Sequence, residues 1–297
     1  MNPRSQVTSI GVEREIVKGL FAGADYVHQH WTNLDRSVDL NAPTPYDRTD
    51  VAQATRSVAA ANATRPIVPV NGGVRNVNVL MNLGVADYDG LQTLVSYRGN
   101  PKWFASLSYT LAKATNTTEP DGNGIGANDS NIARLGEEER GPSVVDQRHR
   151  AVATFSYNLP WNLTAGTVMQ FASARPFNAT TGVDNNGDGA NNDRPVVNGA
   201  VMSKSAFRGT GTQDISVFGE GRIKVQSKTI MIRLEAFNLT NHGNILGRAQ
   251  TTYGNTAVVN NTFGQVVAVT GTQTNALPSL ANIDPSRAVQ VQFRFIF

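Results

Sequence analysis

The segment "VDNNGDGANNDRP" carries the densest set of hard oxygen donors in the chain. Asp184, Asn186 and Asp188 alternate ahead of Gly189, and Asp193 follows. That spacing matches the first half of a calcium loop, in which carboxylate and amide oxygens surround the ion and glycine permits the tight turn. Pro195 stands where an EF-hand places its bidentate Glu, so the EF-hand form is excluded. Two readings follow: a Ca2+ ion on Asp184, Asn186, Asp188 and Asp193 bracing a loop, or a solvated loop built on Asx turns. His28 and His30 flank Gln29 and would share one face of a strand, but two ligands do not make a zinc site. His149 and His242 are isolated in sequence. No G-x-S-x-G or H-E-x-x-H occurs, and the glycines of "GNGIGAND" have the wrong spacing for a phosphate loop. No enzyme and no cofactor beyond that calcium are expected.

The elements that must carry these residues are strands. Nine segments alternate with period two: Gln6–Ile16, Gly19–Trp31, Asp87–Arg98, Lys102–Lys113, Arg148–Asn158, Trp161–Ala172, Gln213–Val225, Lys228–Leu239 and Arg287–Phe297. Apolar faces are clear in Trp103, Ala105, Leu107, Tyr109 and Leu111, in Ala151, Ala153, Phe155 and Tyr157, and in Trp161, Leu163, Ala165, Met169 and Phe171. Such strands are longer than the ~5–6 residues usual in soluble proteins and fit the ~9–11 residues of a tilted membrane-spanning strand. The one helical candidate, Val51–Ala61, falls inside a long connection.

Connection lengths alternate without exception. Val17–Lys18, Gly99–Pro101, Leu159–Pro160 and Gln226–Ser227 are short; Thr32–Ala86, Ala114–Gln147, Ser173–Thr212 and Thr240–Ser286 are long. An up-and-down antiparallel sheet puts alternate connections on one rim, so one rim is trimmed and the other elaborated. Outer-membrane barrels have this form, with short periplasmic turns and long extracellular loops. A soluble all-β binding or adhesin domain, the alternative, needs two packed sheets and loops at both ends. Tyr26, Trp31, Tyr97, Trp103, Tyr157 and Trp161 are candidates for an interfacial aromatic girdle.

Composition agrees. Hydrophobic residues make up 40% and charged residues 16% of 297, the formal net charge is +3, and there is no cysteine. Charge is below the ~25% of soluble domains, and no basic run favours nucleic acid as a partner. Disulfides and cysteine-based metal sites are excluded. "MNPRSQVTSI" has no basic-then-apolar leader. With Phe297 at the periplasmic rim the first visible strand descends as the last does, so an ascending strand is expected before it. The chain is therefore expected to be the C-terminal part of a larger barrel, with outer-membrane lipid as its surroundings.

Six ordered segments carry a resemblance: "RSVDLNAP" (Arg36–Pro43), "DYDGLQ" (Asp87–Gln92), "SYTLAKATN" (Ser108–Asn116), "DQRHR" (Asp146–Arg150), "DNNGDGANNDRP" (Asp184–Pro195) and "EAFNLTNHGN" (Glu235–Asn244). Together with the terminal Phe they resemble the Oar-like TonB-dependent receptors of bacterial outer membranes. The resemblance implies a 22-stranded barrel of which these are the last nine strands. It also implies a plug domain, and TonB contacts through N-terminal parts outside this chain. It implies energised uptake of a substrate that the sequence does not name. Phe293, Phe295 and Phe297 resemble the terminal signal read by the barrel-assembly machinery.

Overall fold

The computed structural model describes residues 2–44, 56–70, 76–118, 139–187, 189, 191, 193–197, 200–245, 247–248, 266–268 and 287–297. Nine long strands form one antiparallel sheet in chain order: β1 (Arg4–Val17), β2 (Leu20–Asp39), β3 (Asn78–Asn100), β4 (Trp103–Asn116), β5 (His149–Leu159), β6 (Leu163–Ala172), β7 (Thr212–Val225), β8 (Lys228–Phe237) and β9 (Ala288–Ile296). These are the nine segments that the period-two pattern predicts. Among the described residues β1 pairs with β2 alone and β9 with β8 alone. Gly141–Pro142 adds a short bridge onto β4.

The largest departure from the sequence expectation is at the first long connection. β2 runs on to Asp39 and β3 begins at Asn78, so the two ends of Thr32–Ala86 extend the strand pair and the connection proper is shorter. The alternation was unreadable there because the register shifts between Trp31, Leu34 and Asp35, and Asn33 has φ 59. The register slips by one residue at Leu34–Gly84 and is restored at Asp35–Asn82, so the alternation is interrupted locally. The helical candidate contracts to α1 (Val58–Asn62), whose Ser57 cap accepts from the Ala60 N–H at 3.2 Å; residues 51–55 lie outside the described residues.

Tight turns close the other rim. Gly19 has φ 78, and a Cβ on it would stand 2.2 Å from the Gly99 Cα, so adjacent turns touch through two glycines. Trp161 and Asn162, at φ 63 and 58, turn β5 into β6. Gln226, at φ 58, turns β7 into β8.

Opposed residues of an antiparallel pair share a face, so the registers trace two faces across the sheet. One face is apolar. Phe295, Phe293 and Val291 of β9 oppose Ile230, Ile232 and Leu234 of β8. Ile223 of β7 opposes Ile230. Leu163, Ala165 and Met169 of β6 oppose Leu159, Tyr157 and Ala153 of β5. Trp103, Ala105 and Leu107 of β4 oppose Tyr157, Phe155 and Ala153. Tyr97, Val95 and Leu91 of β3 continue the band, and Ile10 and Val12 of β1 end it. These side chains stay open: Leu107 is 47% exposed and Phe293 62%.

Burial is concentrated in the connections instead. Among the described residues the buried hydrophobic side chains are Ala42, Ala61, Ala112, Ala179 and Met231, while Arg36, Asp39, Asn41, Arg65, Glu139, Asp146, Asp193, Arg194 and Lys204 are all buried. A water-soluble sheet protein has the opposite distribution.

Candidate functional site: the two faces and the elaborated rim

The apolar band has a sharp border. On β4 it runs from Trp103 to Leu111, eight residue steps, which is about 27 Å along the strand and roughly 21 Å of height at a barrel tilt of about 40°. That is close to the ~25 Å lipid band of outer-membrane barrels. One row beyond Tyr26, Leu91 and Leu111 lie His28, Asp89 and Lys113, and the next row holds His30 and Asp87. His28 Nδ1 is 2.8 Å from Asp89 Oδ1, and His30 Nδ1 is 2.6 Å from Asp87 Oδ1. The Tyr26 hydroxyl donates to Asp89 at 2.7 Å, and Arg140 pairs with Asp87. The two histidines thus share a face as expected, and each sits against a carboxylate of the neighbouring strand. Sequence alone could not supply those partners, because the register that opposes Asp87 and Asp89 to them is a long-range property.

Aromatics mark the opposite border. Tyr97 stacks on Trp103 at 4.2 Å, and Trp103 lies 6.3 Å from Phe155. Trp161 stands in the turn, 86% exposed. Trp31 does not join this girdle: alternation with the outward His30 turns it to the other face, next to the bulge. Phe293 and Phe295 face outward with Val289 and Val291, and Lys228 Nζ lies 5.0 Å above the Phe297 ring at the short-turn rim.

The second face is polar and carries its own charge network. Glu220, Arg222, Arg233, Glu235, Gln292 and Arg294 line it. Arg233 binds Glu235 at 2.7 Å and Glu220 at 3.5 Å, and Arg222 binds Glu220 at 2.8 Å. The Arg233 guanidinium lies 4.0 Å above the Phe218 ring. Gly166 makes that possible, since a Cβ there would stand 2.6 Å from the Phe218 ring carbons. At the elaborated rim this face opens into a cavity of about 840 Å3 between β5 and β8.

Polar anchors hold the bases of the long connections. Asp39 pairs with Arg65 at 2.8 Å and accepts the Val77 and Asn41 N–H groups at 2.8 and 2.9 Å. Asp146 accepts the Ala114 N–H at 2.7 Å and pairs with Arg208 and, at 3.6 Å, with Arg148. Arg194 binds Glu139 at 2.5 Å and Lys204 Nζ binds Asn116 Oδ1 at 2.5 Å. Asn244 exchanges two hydrogen bonds with the Gln213 backbone, at 2.9 and 3.1 Å. Five of the six segments behind the family resemblance contain one of these anchors: Asp39, Asn116, Asp146, Arg194 and Asn244.

The candidate calcium loop belongs to the same layer. Asp184 Oδ1 accepts the Gly187 N–H at 2.6 Å and Oδ2 the Gly189 N–H at 2.9 Å. Asp193 Oδ2 accepts the N–H groups of Asn185 and Asn186 at 2.6 and 3.1 Å. Gly187 and Gly189 have φ 77 and 98, as these turns require. The Asn186 carbonyl accepts from Arg56 Nε at 2.7 Å, tying the loop to the first connection. The described carboxylates thus hold the loop's own backbone, and a Ca2+ ion would share Asp184 and Asp193 oxygens with backbone N–H groups. Asp188 lies outside the described residues. Among the described residues no three His, Asp or Glu side chains gather as a metal cluster.

Residues 1–219 match the family model of the outer membrane beta barrel domain. Among solved structures, FpvA of P. aeruginosa bound to a heterologous pyoverdine with iron is similar at 12% identity and a TM-score of 0.44, over 83% of this chain and 24% of that one. The FrpB iron transporter from Neisseria meningitidis is similar at 14% identity and a TM-score of 0.43, over 80% of this chain and 27% of that one. The chain spans about a quarter of the length of either structure. No curated protein matches it.

Proposed function

We propose that this chain, which belongs to the outer membrane beta barrel domain family, is part of the barrel wall of an Oar-like TonB-dependent receptor that takes up a solute. Membership places it in the bacterial outer membrane. There the apolar face meets lipid, the polar face lines the lumen, and the elaborated rim is extracellular. The observation that carries the reading is the coincidence of these three features in one sheet: a lipid-height apolar band, a charged inner face, and every long connection at one rim. The six ordered segments supply the narrower family. Energy would come from TonB through parts of the receptor outside this chain. Phe297, at the end of the outward stripe, would be read by the barrel-assembly machinery.

Transport is tested by deletion in the source bacterium, with uptake followed over a panel of iron chelates and oligosaccharides. Loss of one solute in both this deletion and a TonB deletion is expected. Loss of a solute whose uptake persists without TonB would end the energised reading. Deleting Phe297 should lower the amount of folded protein in the outer membrane, read as heat-modifiable band intensity; unchanged intensity would remove its assembly role.

A further inference from the structure

The lumen-facing cavity at the extracellular rim contains five charged side chains, and they are not evenly matched. Arg233 and Glu235 satisfy one another, as described above. Asp214 on β7 accepts the Ser216 hydroxyl at 2.8 Å. Arg150 begins the inner face of β5 and opposes Ala172, the last residue of β6. Arg175 follows three residues later, so both arginines stand at the same corner of the cavity. Asp214 is two strands over from Arg150 and two residues along in register, so their backbones stand about 12 Å apart.

Among the described residues neither Arg150 nor Arg175 forms an ion pair with a carboxylate. Arg175 Nη1 is buried and has no hydrogen-bond partner there. Burial, and then the like charge of Arg150, push the Arg175 pKa below its ordinary value. A half-buried guanidinium beside a second one is less costly once an anion compensates both. The forked donors of arginine fit the paired oxygens of carboxylate or phosphate. Gln170, on the same wall, offers a neutral amide beside them. The cavity volume, about 840 Å3, is that of a small-molecule site.

We propose that the Arg150–Arg175 corner binds the carboxylate or phosphate group of an anionic small ligand entering from the extracellular side. The uptake reading gives this ligand its fate as the transported solute; its binding does not depend on that reading.

Calorimetry on the full-length protein in detergent micelles at physiological salt tests this, with citrate and inorganic phosphate as separate probes. Saturable binding of at least one probe is expected. Arg175→Gln and Arg150→Gln should each weaken it about tenfold or more, the loss of a charged hydrogen bond. Arg150→Lys should weaken it less than Arg150→Gln, and Arg222→Gln, on the same face but held by Glu220, should leave it unchanged. If Arg175→Gln loses the heat-modifiable folded form, the exposed Arg150 carries the test through its two variants. No saturable binding of either probe, or an equal loss in Arg222→Gln, overturns the proposal. Binding retained in a protein that imports no solute would overturn the uptake reading alone.

Discussion

The sheet and the layer of connections above it are stabilised by opposite means. In the sheet, apolar side chains face outward and stay exposed, and the order comes from backbone pairing in a simple meander. In the described parts of the connections, charged and amide side chains are buried, and several hold backbone groups from distant segments. The solvent explains the contrast. Lipid neither rewards nor punishes an exposed Leu, but it makes every unpaired backbone group costly, so the sheet must satisfy all of them internally. The described parts of the connections bury few apolar side chains. They are ordered by ion pairs and side-chain-to-backbone bonds, which are strong only when shielded from water.

The largest effect that would break this contrast is expected at a buried anchor. Asp39→Ala leaves Arg65, a side chain with 0% exposure, without its carboxylate, and should cost about 3–5 kcal/mol locally. The expected readout is faster amide exchange in residues 39–44 and 76–79 with the lower sheet unchanged. If exchange accelerates equally throughout, the two regions are one cooperative unit.

Next comes a charge in the lipid band. Leu107→Arg, midway along β4, should destabilise the protein in liposomes by about 2–4 kcal/mol, measured by urea titration. Ser108→Arg, one residue on and turned to the lumen, should cost close to nothing. Equal effects would mean that the two faces have been assigned wrongly.

Overpacking the inner wall should cost less. Gly166→Val drives a side chain into the Phe218 ring that supports Arg233, and about 1–3 kcal/mol is expected. The smallest effect is at the border row: Tyr26→Phe deletes the hydrogen bond to Asp89 at an exposed site, and the urea midpoint should stay within error of the parent's.

How far the sequence could be read differs between the same two regions. Strand alternation is local, so Leu107 and Ser108 announce their faces from their neighbours alone. Where locality fails, reading fails. The irregularity after Trp31 hid the upper hairpin, and alternation with the outward His30 turns Trp31 away from the girdle. The anchors were visible only as recognisable spellings. Nothing within "DQRHR" says that Asp146 reaches Ala114 and Arg208, and nothing within "DYDGLQ" says that its aspartates face two histidines from β2. The oxygen-rich loop, legible either as a metal loop or as a solvated turn, has its described carboxylates bonded to backbone N–H groups, and that use depends on turn geometry rather than on composition.

By itself, then, the sequence determined the strands, their two faces and the rim that carries the long connections, because each is fixed by residues next to one another in the chain. Tertiary structure alone decided which strand opposes which residue, which carboxylate holds which loop, and that Arg150 and Arg175 share a corner. Those pairings join residues tens of positions apart, and their chemistry follows from the register of the sheet and from exclusion of water.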